Sequence, residues 1–319
     1  MLQKFKALCK LFRVGNLIIT AVLFYVVRFG LFVPLYEIMG VPPQLSSVEF
    51  LLLVVSTILT MAAGYLINDY FDLGIDRINR PQEVYIGNIM TAEFANVLFY
   101  VIAMIAILIG FFLGKQVDFV NLGSVYIVTT LVLYFYSLRY KRRVFWGNFA
   151  ISLLSGYLIV HVWLFEFFAL HRNIELFFEA QRMQWFRSVN FIVFFYAGFS
   201  FLISFLREVV KDMEDQKGDA AEDCRTMAIA LGMSKTKKLL WGIAAVLIGG
   251  MGVFQYILLG MQGYYYATML FIFIQIPLVI LMVKLQKAQT EKQYHEISTG
   301  LKVVMFFGIL SLFGIRTLL

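Results

Sequence analysis

Apolar runs of about twenty residues alternate with short polar connections along almost the whole chain. A run of that length with few charges is what an α-helix needs to cross a bilayer, since each residue advances the helix by only about 1.5 Å. About nine such windows are legible: residues 14–36, 48–67, 93–113, 119–138, 145–167, 189–206, 239–259, 264–283 and 301–319. The two windows that flank Gly260 lie close enough to form one hairpin. The pattern predicts an all-α, polytopic membrane protein, with about nine transmembrane helices in one bundle around a central cavity and a single domain over residues 1–319.

No separate soluble domain is visible. The longest polar segments are 207–238, 284–296 and 169–188, and the last mixes aromatic and charged residues as an interfacial helix does. A basic amphipathic stretch, 3–13, precedes the first window. It lacks the short apolar core and small-residue cleavage site of a signal peptide and is expected to be retained.

Composition agrees with the pattern: 61% of residues are hydrophobic and 15% charged, with a mean hydropathy of +0.81, far from a soluble domain. Most of the 27 Lys and Arg residues fall in alternate connections, starting with the N-terminal one. The positive-inside bias then places the N-terminus and the ends of the second and sixth spans on the cytoplasmic side of the cytoplasmic membrane, with the C-terminus outside. The net charge of +7 reads as topology and attraction to anionic membrane lipids, and gives no case for nucleic acid. Cys9 and Cys224 have no metal-ligand spacing and are not expected to form a disulfide. His161, the only histidine within a span, reads as a satisfied packing residue.

Two acid-rich stretches stand out against this background, Asn68-Asp69-Tyr70-Phe71-Asp72-Leu73-Gly74-Ile75-Asp76 and Lys211-Asp212-Met213-Glu214-Asp215-Gln216-Lys217-Gly218-Asp219. Each places carboxylates at i, i+3 and i+7, which a continuous helix would stack along one face. The shared spacing on one side of the membrane hints at two similar helical halves. One triad alone is accounted for by a solvated helix end; two at the same membrane face are a costly gathering of like charge without a ligand.

The acids suit magnesium, with Asp69, Asp72 and Asp76 placed for one ion and Asp212, Asp215 and Asp219 for another. Magnesium is usually held by a few carboxylates together with phosphate oxygens and water. A prenyl diphosphate needs such acids, and cations for its remaining charge, at the water surface above an apolar tunnel. Arg77, Lys141, Arg142, Arg207 and Lys211 are the candidate phosphate-binding cations. A positive-inside anchor accounts for the Arg139–Arg143 cluster about as well, and lipid snorkelling is the plainer account of Lys211.

The chain resembles the UbiA superfamily of intramembrane prenyltransferases. Asn68, Asp69, Asp72 and Asp76 match its NDxxDxxxD pattern, followed by Arg77, Asn79, Arg80 and Pro81; Asp215 and Asp219 match its later DxxxD, with Asp212 as an additional acid. Arg13 with Asn16, and Tyr136, Lys141, Arg142, Gly147 and Asn148, are supporting matches. Departures are Glu83-Val84 in place of a second Arg-Pro, a replaced glycine near Asp223, and Thr226-Met227-Ala228 in place of a Thr-Leu-Pro-like turn.

The resemblance implies catalytic, metal-binding acids at both motifs and substrate contacts from Asn16, Asn68, Arg77, Lys141, Arg142, Asn148, Arg207 and Lys211. It further implies magnesium-assisted transfer of a prenyl group from its diphosphate to a lipid or aromatic acceptor. Tyr65, Tyr70, Phe71, Tyr136 and Tyr196 are candidates to face a developing allylic cation, with packing as the plainer role of each. The run 207–219 is most similar to the branch that prenylates geranylgeranylglyceryl phosphate in ether-lipid synthesis. Aromatic quinone precursors and haem are the alternative acceptors, and a lipid-phosphate transporter is the non-enzymatic alternative.

Overall fold

The computed structural model describes residues 2–79, 81–221 and 224–318. Among them are nine helices long and apolar enough to cross a membrane: α1 (Val14–Ile38), α2 (Ser47–Phe71), α3 (Ala92–Gln116), α4 (Val120–Leu138), α5 (Trp146–His171), α6 (Gln184–Glu214), α7 (Met233–Gly260), α8 (Tyr264–Lys287) and α9 (Glu291–Ile315). The number matches the apolar windows, but α6 and α9 reach further toward the motif side than hydropathy alone indicates. A short helix, Leu2–Leu11, precedes α1, and the amphipathic helix Ile174–Arg182 connects α5 to α6. Residues 261–263 turn α7 directly into α8.

Local chemistry sets several helix ends. Ser46 and Glu49 form a reciprocal capping box at the start of α2, and Thr290 with Gln293 does the same for α9. Thr91 caps α3 by accepting from the Phe94 amide. Two spans contain a π-helical turn, Arg28–Phe32 in α1 and Phe271–Gln275 in α8. Each lies just ahead of a proline, Pro34 or Pro277, whose missing N–H and bulky ring disturb the regular hydrogen-bond ladder.

The windows of α1 and α2 are 61% buried, against 28% for α4 and α7. The first pair therefore forms the middle of the bundle and the second its lipid-facing wall. α2 packs on α3, α5 on α6, and α6 on α9. At Gly156 the backbones of α5 and α6 approach so closely that a Cβ would stand 2.6 Å from the Ala197 carbonyl oxygen. On the side away from the motifs, buried Arg28 stacks on Phe50 at 4.3 Å and lies 3.8 Å from Glu166, which also accepts a 3.1 Å hydrogen bond from Tyr36.

The acidic triads are not carried on continuous helices, contrary to the single-face stacking expected from their spacing. α2 ends at Phe71 and α6 at Glu214, and the next residues, Asp72 (φ −92, ψ 4) and Asp215 (φ −87, ψ 7), bend the chain in nearly the same way. Short helices follow, Leu73–Asn79 after the first bend and Gln216–Ala221 after the second, and the two pack against each other. A straight helix would have held like charges about 5–6 Å apart along one face. The bends distribute each triad over two helices instead.

Candidate functional site

The two bends frame the mouth of a cavity of about 510 Å³ that runs into the bundle between α1, α2, α4, α5, α6 and α9. Asp72 and Asp76 line it from the first motif, and Asp212, Asp215 and Asp219 from the second. Asp69 stands beside this set: Arg13 Nη2 donates to its Oδ1 at 2.8 Å. Asn68 Nδ2 donates to Asp72 Oδ2 at 2.7 Å, and the Lys141 ammonium donates to that same oxygen. Asn148, at the start of α5, donates to Asp212 Oδ2 at 2.8 Å.

The loop after α4 is held over the second motif from another direction. The Arg225 amide donates to the Arg142 carbonyl at 3.0 Å, and the Cys224 amide donates to that of Asp219 at 2.9 Å. Lys141 is thus a fixed counter-charge between the motifs. Burial opposes its charge, but the carboxylates of Asp72 and Asp76 outweigh that effect and raise its pKa above the usual lysine range.

The carboxylates still repel one another. Burial, followed by the nearby charges of Asp72 and Asp69, pushes the Asp76 carboxyl up to about 6. Asp219 is also pushed up to about 6, first by burial, with Asp215 and Asp72 raising it further against the pull of Lys141. Among the described residues, no three acidic, histidine or cysteine side chains close into a ready-made metal cage. Spread carboxylates around an open mouth suit a hard cation that takes its other ligands from phosphate oxygens and water.

A second group of charges gathers beside these acids where α1, α6 and α9 meet. Lys302 Nζ, from α9, donates to Asn16 Oδ1 at 2.5 Å, and Asn16 Nδ2 reaches the Tyr65 hydroxyl at 3.3 Å. The Arg13 guanidinium lies 4.7 Å from the centre of the Tyr65 ring. Arg207 pairs with Glu208 at 2.6 Å, and Lys211 lines the cavity beside them. The mouth therefore carries acids organised by Lys141 and, adjoining them, a basic group of Arg13, Arg207, Lys211 and Lys302.

A model of the UbiA prenyltransferase family matches residues 17–309. The chain belongs to that family. Digeranylgeranylglyceryl phosphate synthase of Methanothermobacter thermautotrophicus is 33% identical over 187 residues, covering 58% of this chain and 57% of that protein. The synthase of the same name from Methanosphaera stadtmanae is 28% identical over 280 residues, 86% of this chain and 90% of its relative. Among solved structures, one of a digeranylgeranylglyceryl phosphate synthase superposes with a TM-score of 0.65 at 23% identity, covering 98% of this chain and 99% of the other. A UbiA homologue from Archaeoglobus fulgidus bound to DMAPP and Mg2+ superposes at 0.57 with 13% identity, covering 95% and 99%. These superpositions share the UbiA fold, an integral membrane bundle.

Within this UbiA bundle, Asn16, Asn68, Lys141, Arg207 and Lys211 line the cavity with the acids, and Asn148 reaches it through Asp212. Arg77 and Arg142 are exposed and do not line it. Tyr65, Tyr136 and Tyr196 face the cavity, whereas Tyr70 and Phe71 pack into a small core with Leu66 and Phe99. His161 is buried and hydrogen-bonded to Tyr157 and Tyr126, yet it also lines the cavity. Arg80 and Asp223 lie outside the described residues, as do the side chains of Asn79 and Glu83.

Sequence reading passed over Glu208 and Lys302. Lys302 carries no signal of its own at the very edge of the ninth apolar window, which begins at Leu301. The capping signal Thr290-x-x-Gln293 starts α9 earlier and places Lys302 well inside the helix.

Proposed function

We propose that this chain is a magnesium-dependent intramembrane prenyltransferase that moves a prenyl group from its diphosphate to geranylgeranylglyceryl phosphate. The observation that carries this reading is the composite mouth: acids with Lys141, and adjoining them Arg207, Lys211 and Lys302, above a cavity that runs into the bundle. In this reading the substrates take separate groups of charges. The names of the relatives above support the same acceptor.

Asp69, Asp72, Asp76, Asp212, Asp215 and Asp219 are the residues that would hold magnesium, which when bound supplies charge neutralisation for the departing diphosphate. Asn68 and Asn148 orient Asp72 and Asp212, and Lys141 adds a fixed positive charge where negative charge accumulates on the leaving group. Tyr65 and Tyr136 line the chamber near the acids, where an allylic carbon gains positive character, whereas Tyr196, sixteen residues before Asp212 on α6, lies roughly 24 Å deeper. The basic group receives the acceptor phosphate and leaves its glycerol hydroxyl facing the donor. The bond between prenyl C1 and the diphosphate oxygen breaks, a bond from C1 to the hydroxyl oxygen forms, and pyrophosphate and the hydroxyl proton are released. The excess of Lys and Arg in the connections on the motif side supports a cytoplasmic mouth.

The test is turnover by purified protein with magnesium, labelled prenyl diphosphate and a panel of acceptors, read by mass spectrometry. The expected result is pyrophosphate release with a doubly prenylated glyceryl phosphate. Product only with 4-hydroxybenzoate or 1,4-dihydroxy-2-naphthoate reassigns the acceptor, and flux across vesicles without any product rejects the enzyme.

A further inference from the structure

The far end of the cavity is polar, although the prenyl-transfer reading sends a hydrocarbon there. The Tyr126 hydroxyl is 2.6 Å from Ser56 Oγ and 3.0 Å from His161 Nε2, and His161 Nδ1 is 2.5 Å from the Tyr157 hydroxyl. The polar atoms of Tyr126 and His161 are thus engaged within the protein, and ring carbons are the surface left to a ligand. Tyr126 is also fixed from behind. Its ring occupies a notch at Gly110, where even a methyl group would stand 2.2 Å from it.

This lock lies far from the diphosphate chemistry. Thr57, beside it in the cavity lining, is about four helical turns from Asp72, or roughly 22 Å at about 1.5 Å per residue. Beyond it the bundle is filled, with Phe24 and Phe165 fully buried. An extended tail of four isoprene units has roughly sixteen chain bonds of about 1.5 Å and spans roughly 20 Å once the zigzag is allowed for.

We propose that Tyr126, locked by Ser56, His161 and the Gly110 notch, is the floor on which the end of the donor tail rests, limiting the donor to about four isoprene units. The inference rests on the prenyl-transfer reading but concerns a different end of the cavity. A tail that left sideways between helices into lipid would meet no floor.

Two measurements test it. In detergent with magnesium, calorimetry on the wild-type protein with prenyl diphosphates of two to five isoprene units should show affinity rising up to the fourth unit and no further. In turnover, Tyr126→Ala should raise the kcat/KM ratio of five-unit to four-unit donors at least tenfold. Thr60→Phe, one turn nearer the acids, should move the optimum to three units by a similar factor and tests the floor should Tyr126→Ala fail to fold. Affinity that keeps rising through the fifth unit, or an unchanged length order in either folded variant, overturns the proposal. Absence of product with every donor and acceptor rejects prenyl transfer itself, while the binding series still reads the floor.

Discussion

Asn148 donates to Asp212 across 2.8 Å, joining the start of α5 to the second acidic motif. Asn148 is buried, so its amide holds Asp212 from within the protein. Asn148→Ala should lower kcat/KM by about 10- to 100-fold, the range expected for losing a hydrogen bond to a charged group. Asn148→Asp should do worse, because it sets a second carboxylate against the first. Magnesium titrations of turnover in both variants check the order.

Asp72 and Asp215 occupy the two bends and line the cavity. Asp72→Asn and Asp215→Asn should each reduce transfer by about two orders of magnitude or more, while expression and elution as a folded protein stay intact. Near-normal turnover in both would remove the metal assignment.

Lys302 donates a hydrogen bond to a neutral partner, Asn16, within the basic group. Lys302→Met should raise KM for a phosphate-bearing acceptor about tenfold and leave the donor KM close to wild type, with Lys302→Arg recovering part of the loss. Steady-state kinetics with each substrate varied in turn would show the separation. An equal rise in both KM values would argue against two separate groups.

Asp76 and Asp219 give a pH dependence whose sign follows from proton linkage. Both carboxyls are raised to about 6 in the folded protein. The folded state therefore holds more protons than the unfolded chain between about pH 4 and 6. Without added divalent cation, stability should fall as pH rises through that window and level off above it. Magnesium competes with those protons, so its affinity should weaken below about pH 6 and its stabilising effect should be largest near neutrality. Thermal unfolding in detergent at pH 5 and pH 7, with EDTA or magnesium, would reveal both trends.

Much of the architecture was legible because membrane spans declare themselves by length and hydropathy, and the acid motifs by spacing. The bends at Asp72 and Asp215 were not, since i, i+3, i+7 spacing is equally compatible with one straight helix. Lys302 was missed for a related reason: a window of mean hydropathy trims the polar first turns of α9 and leaves an interior lysine at its edge. The Tyr126–His161 lock could not be read either, because it joins residues 35 positions apart that meet only once α4 and α5 pack.

The two bends also place their acids between opposing helix ends. Asp72 and Asp215 follow the carboxyl ends of α2 and α6, whose dipoles disfavour a carboxylate, and directly precede the short helices Leu73–Asn79 and Gln216–Ala221, whose amino ends favour one. The same balance is struck in two matching places. A bound cation would relieve the carboxylates and the carboxyl ends of α2 and α6 together. Metal and diphosphate would then brace the mouth as well as react in it, and product release would return the bundle to its less relaxed form.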